Sequence, residues 1–327
     1  MGVTASKPLI SVVIPTYNCD RYIVQAVESV LIQKDCQYEV VVIDDGSTDY
    51  TQDVLESYRD RIRYIKQVNQ GVAAARNHGI AEARGNLVAF LDADDYFLPG
   101  KLAAQAAIFA RNPDLGIVHS GWQRVDSQGN KILDVRPWED VPELDLAGWL
   151  RWKPVLPSAM MFRCEWLEYA GGFDPRFPPA EDTDLVLRMA LKGCKTAWLK
   201  EITVHYRQHE QSAMHKGLPQ AKSLSAVMNN FFAQPNLPNK VRLMEYSVRY
   251  GTAVWIAWYL HHTQHFKEMT DYLKKSRQYT PFSPLETTIN WIESFAVFSK
   301  NWGIEFDVYT LTQSAEWQDL VQWVINN

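Results

Sequence analysis

LISVVIP, residues 9–15, is a β-branched apolar run, and the period changes after it: Ile23, Ala26, Val27, Val30 and Leu31 recur at i, i+3, i+4, i+7 and i+8. A buried strand followed by an amphipathic helix opens an α/β layer. The pattern repeats outward. YEVVVID, residues 38–44, reads as a second buried strand, and Asp49, three residues before Gln52, offers a capping-box start to the next helix. Residues 62–66, 72–83 and 87–91 continue as strand, helix and strand. Such alternation predicts an α/β fold, a Rossmann-like, mostly parallel sheet sandwiched by helices.

Helices are expected at 101–112, 145–151 and 183–192, strands at 116–119, 159–163, 196–199 and 202–207, and a turn at DSQGN, residues 126–130. Beyond about His215 the strand signals fade, and helical periodicity broken by Pro235, Pro238, Pro281 and Pro284 takes over. Two domains are therefore expected, 1–215 and a mostly α-helical C-terminal region, 216–327. No internal repeat is present.

Composition excludes several classes. Across 327 residues the net charge is −5 and no block of Lys and Arg occurs, so nucleic acid is not an expected partner. Cys19, Cys36, Cys164 and Cys194 lie far apart with no C-x-x-C pair, which suggests reduced thiols rather than zinc or a disulfide framework. The N-terminus leaves no room for an apolar signal region before the first strand. The most continuous later apolar core, residues 253–260, is too short for a span of about 20 residues. A cytoplasmic protein is expected, with peripheral membrane contact and homo-oligomer formation both left open.

In open sheets of this kind ligands bind beyond the carboxyl ends of the strands. Here those ends read Pro15-Thr16-Tyr17-Asn18, Asp44-Asp45-Gly46-Ser47-Thr48-Asp49 and Asp92-Ala93-Asp94-Asp95. Neither G-x-G-x-x-G nor G-x-x-x-x-G-K-[ST] is present to hold a diphosphate by glycine-rich backbone. Carboxylates repel phosphate unless a cation lies between them, and Mn²⁺ or Mg²⁺ accepts one or two carboxylates while leaving positions for phosphate oxygens. A metal would also stabilise charge on a departing diphosphate. Read alone, the same acids also fit a polar loop with Asp95 in a turn.

Three further clusters follow in order: Asn69-x-Gly71 with Ala75-Arg76-Asn77-x-Gly79 and Ala83-x-Gly85, then Gly171-Gly172-Phe173-Asp174 with Glu181-Asp182, then Tyr206-Arg207-x-His209-x-x-Ser212. Together with the strand ends, this series resembles the family-2 inverting glycosyltransferases of GT-A fold across residues 10–209. The resemblance implies a nucleotide-sugar donor and a saccharide or lipid-linked acceptor. It implies that Pro15, Tyr17 and Asp45 hold the nucleobase, that Asp94 is the principal metal ligand, and that Asp92 approaches the ribose or the metal shell. Arg76 would lie near the nucleotide. UDP-sugars are the commonest donors in that family, with GDP- and dTDP-sugars also used.

An inverting displacement needs a base for the acceptor hydroxyl. Glu181-Asp182 also fits acids favoured in a helix's first turn, but the resemblance assigns Asp182 as base and Glu181 as a residue that orients the acceptor. Alternation puts His205, Arg207 and His209 on one face, making Arg207 a phosphate partner by its fork of donors and His209 a completing metal ligand, beside the alternative of a surface loop. His261 and His265 stand i, i+4, but His262 replaces the Glu of H-E-x-x-H, which leaves a solvated helix face. The C-terminal tryptophans, Trp255, Trp258, Trp291, Trp302, Trp317 and Trp323, are read as packing or subunit contact. Two rival functions remain: a sugar-nucleotide pyrophosphorylase, disfavoured because Thr16-Tyr17-Asn18-Cys19-Asp20 stands where its glycine-rich basic signature would, and a non-catalytic nucleotide-sugar or carbohydrate binder.

Overall fold

The computed structural model describes residues 9–210, 212 and 217–326. They form two compact units, the first ending at His209 and the second beginning at Glu210. The boundary expected between residues 215 and 216 lies outside the described residues.

The first unit is built on nine strands: β1 (Leu9–Thr16), β2 (Gln37–Asp44), β3 (Arg63–Lys66), β4 (Leu87–Phe90), β5 (Tyr96–Phe97), β6 (Leu115–Val125), β7 (Lys131–Val135), β8 (Met160–Arg163) and β9 (Lys195–Arg207). Their order is β3-β2-β1-β4-β8-β6-β9-β5, with β7 paired to β6. The first four strands run parallel, β1 at the centre with Ile10 opposite both Tyr38 and Leu87. β8 lies antiparallel to both of its neighbours, β4 and β6, so the far half of the sheet is mixed.

β1 is covered on both faces, which explains its unbroken apolar run. Ile10, Val12 and Ile14 pack into one buried cluster with Ile23, Ala26, Val27 and Val30 of the helix Ile23–Leu31. Val13 points the other way, against the helix Val72–Glu82, where a Cβ on Gly79 would lie 2.1 Å from Val13 Cγ1. Gly79 therefore sets how closely that helix approaches the sheet. Gly79→Ala should destabilise the first unit by about 1–3 kcal/mol through overpacking, read as a lower denaturant midpoint.

Two expectations change, and two strands are added. The capping box at Asp49 does not form: Asp49 Oδ2 accepts from Asp20 N and Oδ1 from Thr51 N, and only a four-residue helix, Thr51–Val54, follows. The carboxylate ties the β1 end to the β2 end instead of starting a long helix. The short strands expected at 196–199 and 202–207 are one strand, β9, continuous because it pairs along β6. β5 and β7 carry no strong sequence period and exist through their pairing with β9 and β6.

Lys101 begins the helix Lys101–Arg111 wholly buried, with Nζ donating to Gln105 Oε1 at 2.5 Å and resting over the Phe97 ring. Burial lowers its pKa from 10.5 to about 7. The unfolded chain then binds more protons between those values, so stability should rise with pH from about 7 to 10.5 and carry the full penalty below about 7. Lys101→Met should raise the melting temperature at pH 7 by several degrees, an effect that fades toward pH 10.

The second unit is helical. Its longest members are Leu218–Phe232, Glu245–His262, Phe266–Ser276, Pro284–Trp302 and Ala315–Asn326. Ser283 and Glu286 form a full capping box ahead of Pro284. Trp258, Trp291 and Trp317 are buried, and the indole N–H groups of Trp258 and Trp291 donate to Ser299 Oγ and Ser276 Oγ at 2.8 and 3.0 Å. His261 is not on a solvated face: it is half-buried among Phe266, Phe295 and Phe306, and His265 lies past the end of its helix. No helix among the described residues is long and apolar enough to cross a membrane.

Candidate active site

The carboxyl ends of β1, β2 and β4 meet at one edge because the three strands are parallel neighbours. Pro15 is buried within β1 opposite Ile43, whereas Tyr17 is 52% exposed and free to cover a planar ligand. Asn18, at φ 48°, accepts through Oδ1 from Thr48 N at 2.8 Å and holds the two strand ends together. Asp45 is buried, with Oδ1 accepting from Gln67 Nε2 and Gln70 N at 2.7 and 2.9 Å and Oδ2 from Gly71 N at 2.8 Å. The expected base contact is thus a carboxylate already shaping the loop that leads into the helix Val72–Glu82. Oδ2 retains a lone pair for a further donor.

Asp92, Ala93, Asp94 and Asp95 turn sharply after β4, Asp95 N donating to Asp92 O at 3.0 Å. Ser158 clasps this turn: its Oγ accepts from Asp92 N at 3.1 Å and donates to Asp95 Oδ2 at 2.7 Å. Asp95 is buried, and burial followed by the charges of Asp94 and Asp92 pushes its carboxyl well above the usual range. It braces the turn. Asp92 and Asp94 are about a quarter exposed, with Asp94 Oδ2 2.9 Å from His209 Nε2.

Carboxylate oxygens are the donors that a hard divalent ion accepts. Among the described residues no three His, Cys, Asp or Glu side chains form a group that could hold a metal. An ion held by Asp94 and His209 would therefore complete its shell with diphosphate oxygens, the habit of Mg²⁺.

Arg207, expected as a phosphate partner, is buried instead. Its guanidinium donates to Asp94 O at 2.9 Å, Ser127 O at 3.1 Å and Gln25 Oε1 at 2.5 Å, while its backbone N–H donates to Asp95 Oδ1 at 3.0 Å. It sits over the rings of Tyr22 and Tyr96. All three sides of the fork meet protein acceptors, so Arg207 fixes the acidic turn from beneath. His205 packs edge-on against Tyr96, and of the three alternating side chains only that of His209 reaches a carboxylate of the acidic turn.

Arg76 is the centre of the site. It is buried in the helix Val72–Glu82, with Nη2 donating to Asp92 Oδ1 at 2.7 Å and Nη1 to Glu181 Oε1 at 2.6 Å. Burial opposes its charge, but Asp92 and Glu181 more than offset it and hold the guanidinium protonated. The next residue does related work: Asn77 donates to Phe173 O and accepts from Phe173 N, both at 2.8 Å. A Cβ at Gly172 would lie 2.4 Å from Asn77 Oδ1, which explains the Gly-Gly-Phe segment. Two adjacent side chains thus tie the acidic turn to the segment leading into the helix Glu181–Leu191.

Glu181 and Asp182 differ in environment. Glu181, expected to orient the acceptor, is buried on Arg76, and its Oε2 has no hydrogen-bond partner among the described residues. Asp182 is half-buried; its Oδ1 accepts from Thr183 N at 2.5 Å and Thr183 Oγ1 at 3.3 Å, while no described residue hydrogen-bonds its Oδ2. Burial, then the Glu181 charge, pushes its pKa up to about 7 against the pull of Arg76. One open oxygen with a pKa near neutrality is what a general base needs.

Sequence reasoning placed Asn18 at a strand end without a role and missed Ser158 and Gln25, because single polar residues in a short 3₁₀ turn and a helix carry no periodic signal. Their roles exist only through partners distant in the chain.

The sheet order and the acidic strand ends define a GT-A fold. Staphylococcus aureus TarS 1-349 in complex with UDP-GlcNAc shares this architecture at TM-score 0.62 and 20% identity, over 91% of this chain and 93% of that one. The mannosyltransferase PcManGT from Pyrobaculum calidifontis in complex with GDP-Man and Mn²⁺ shares it at TM-score 0.63 and 18% identity, over 98% and 86%. Residues 11–168 match the model of Glycosyl transferase family 2. An uncharacterized glycosyltransferase of Nostoc is 35% identical over 214 residues, 61% of this chain and 65% of its own length. Escherichia coli chondroitin synthase is 31% identical over 189 residues, 57% of this chain and 27% of its own. The chain thus spans under two thirds of either relative.

Proposed function

We propose that the first unit transfers a sugar from a nucleoside-diphosphate sugar to a hydroxyl of a saccharide or lipid-linked acceptor with inversion, Asp182 acting as base. The observation that carries this reading is the Arg76 bridge, which joins Asp92 of the acidic turn to Glu181 beside the open carboxylate of Asp182. Donor and acceptor chemistry need such a fixed separation. The acceptor hydroxyl donates to Asp182 Oδ2 and passes its proton there as its oxygen bonds the anomeric carbon. The bond from that carbon to the diphosphate oxygen breaks with the electron pair leaving on the diphosphate. Asp94 and His209 would hold a divalent ion, which would supply positive charge to stabilise the departing diphosphate. Tyr17 and Asp45 are the residues available to the nucleobase, and UDP is the first nucleotide to try.

The test is incubation with UDP-, GDP- and dTDP-sugars and Mn²⁺, measuring released nucleoside diphosphate. Release that depends on Mn²⁺ supports transfer; donor binding without release in the presence of saccharide and lipid-linked acceptors would favour a binding protein. Binding itself is read by thermal shift, since a ligand at ~100 times its dissociation constant stabilises by roughly 2.7 kcal/mol. Asp94→Ala should raise the Mn²⁺ concentration needed for half-maximal release at least ~10-fold, and an unchanged requirement would remove Asp94 from the metal assignment.

A further inference from the structure

A cavity of about 320 Å³ lies within the helical unit and is walled by Trp258, Phe266, Ile304 and Phe306. Its volume falls at the small end of ligand pockets, about 300–1,000 Å³, suited to one or two pyranose rings. Polar groups interrupt these walls. Both ring nitrogens of His261 lack a hydrogen bond from any described residue, although the ring is fixed by Phe266, Phe295 and Phe306. Glu305, exposed at the cavity, likewise has a carboxylate with no described partner. Asp307, by contrast, is used by its own helix: Oδ1 accepts from Tyr309 N, and Oδ2 from the Thr310 hydroxyl.

We propose that this cavity binds a neutral saccharide. Apolar walls match the C–H faces of a sugar ring, and aromatic side chains supply such faces with little loss of conformational entropy. The hydroxyls need the opposite, fixed donors and acceptors in the same space. Burial and the neighbouring His262 lower the His261 pKa, so the ring is neutral at pH 7 and offers one donor and one acceptor. Glu305 adds acceptor oxygens. No Lys or Arg lines the cavity, and two carboxylates do, so nucleotides and sugar phosphates would be repelled. A wholly apolar ligand would leave the half-buried His261 desolvated without partners. The cavity is lined by residues of the second unit alone, and the proposal does not rest on the transfer reading.

Saturation-transfer NMR on the full chain tests it, with glucose, galactose, mannose, N-acetylglucosamine and cellobiose as neutral probes and glucose 6-phosphate as the charged one. Ring-proton saturation of at least one neutral probe, absent for glucose 6-phosphate, is expected. Glu305→Ala should weaken it at least tenfold, and Thr310→Trp, which fills the cavity, should abolish it. Circular dichroism checks the fold of Thr310→Trp, and Glu305→Ala, changed at an exposed position, decides the matter if that variant does not fold. No saturation with any neutral probe, or saturation that survives Glu305→Ala undiminished, overturns the proposal. Donor-driven nucleotide release is unchanged in Glu305→Ala, so failure here and failure of the transfer reading are distinguishable.

Discussion

Asp182→Asn lowers turnover by about 10²- to 10⁴-fold while donor affinity stays within a few-fold of the parent. The amide keeps the size of the side chain and can still accept from Thr183 N, which Asp182 engages through Oδ1 at 2.5 Å. What it loses is basicity at the open oxygen. Because the Asp182 pKa is raised to about 7, the parent should be protonated and slow below that value. Its rate should climb with pH through about 7 and then level, the limb belonging to a carboxylic acid held high by burial and by Glu181. The residual rate of Asp182→Asn should lack this limb. Normal turnover by the variant would sink the base assignment, and a parent profile flat from pH 5 to 8 would move the titrating group elsewhere.

The parts of the molecule legible in the sequence are those whose signal is contiguous. β1 and β2 announce themselves because burial on both faces demands unbroken apolar runs, and their acidic ends follow immediately. Asp44, Asp45, Asp92 and Asp94 could therefore be gathered at one edge before any coordinates. What the residues do there was less legible. Asp45 and Arg207 look alike in sequence, charged groups at strand ends, yet the fold turns both onto backbone or side-chain partners. Arg76 and Glu181 are 105 positions apart, and nothing in either segment signals the pairing. The mixed order of the sheet is hidden for the same reason: β8 reads as one more short apolar run, and its direction is set by where the chain re-enters between β4 and β6. Glycines were read as motif letters, whereas Gly79 and Gly172 are places where a methyl group would strike Val13 or Asn77.

Arg76→Met should be the most damaging substitution outside the reacting groups. The guanidinium is buried and supplies the hydrogen bonds described for Glu181 Oε1 and Asp92 Oδ1. Glu181 Oε2 already has no partner among the described residues, so deleting the cation leaves a buried carboxylate that must take up a proton or drag in water. Breaking a buried pair from one side costs about 3–5 kcal/mol, a large part of the stability of a typical domain. The denaturant midpoint of the first unit should fall accordingly. Arg76→Lys should recover only part of this, because an ammonium cannot span two carboxylates as a planar fork does. The rate should fall as well, since the acidic turn and the Asp182 helix lose their common tether. The double variant Arg76→Met with Glu181→Gln separates the two effects. Removing both charges should return much of the stability, as replacing a whole buried pair often does, yet the rate should stay low because the tether is still missing. If stability and rate recover together, Arg76 is a folding residue alone; if neither single substitution lowers the denaturant midpoint, the buried bridge does not exist in solution.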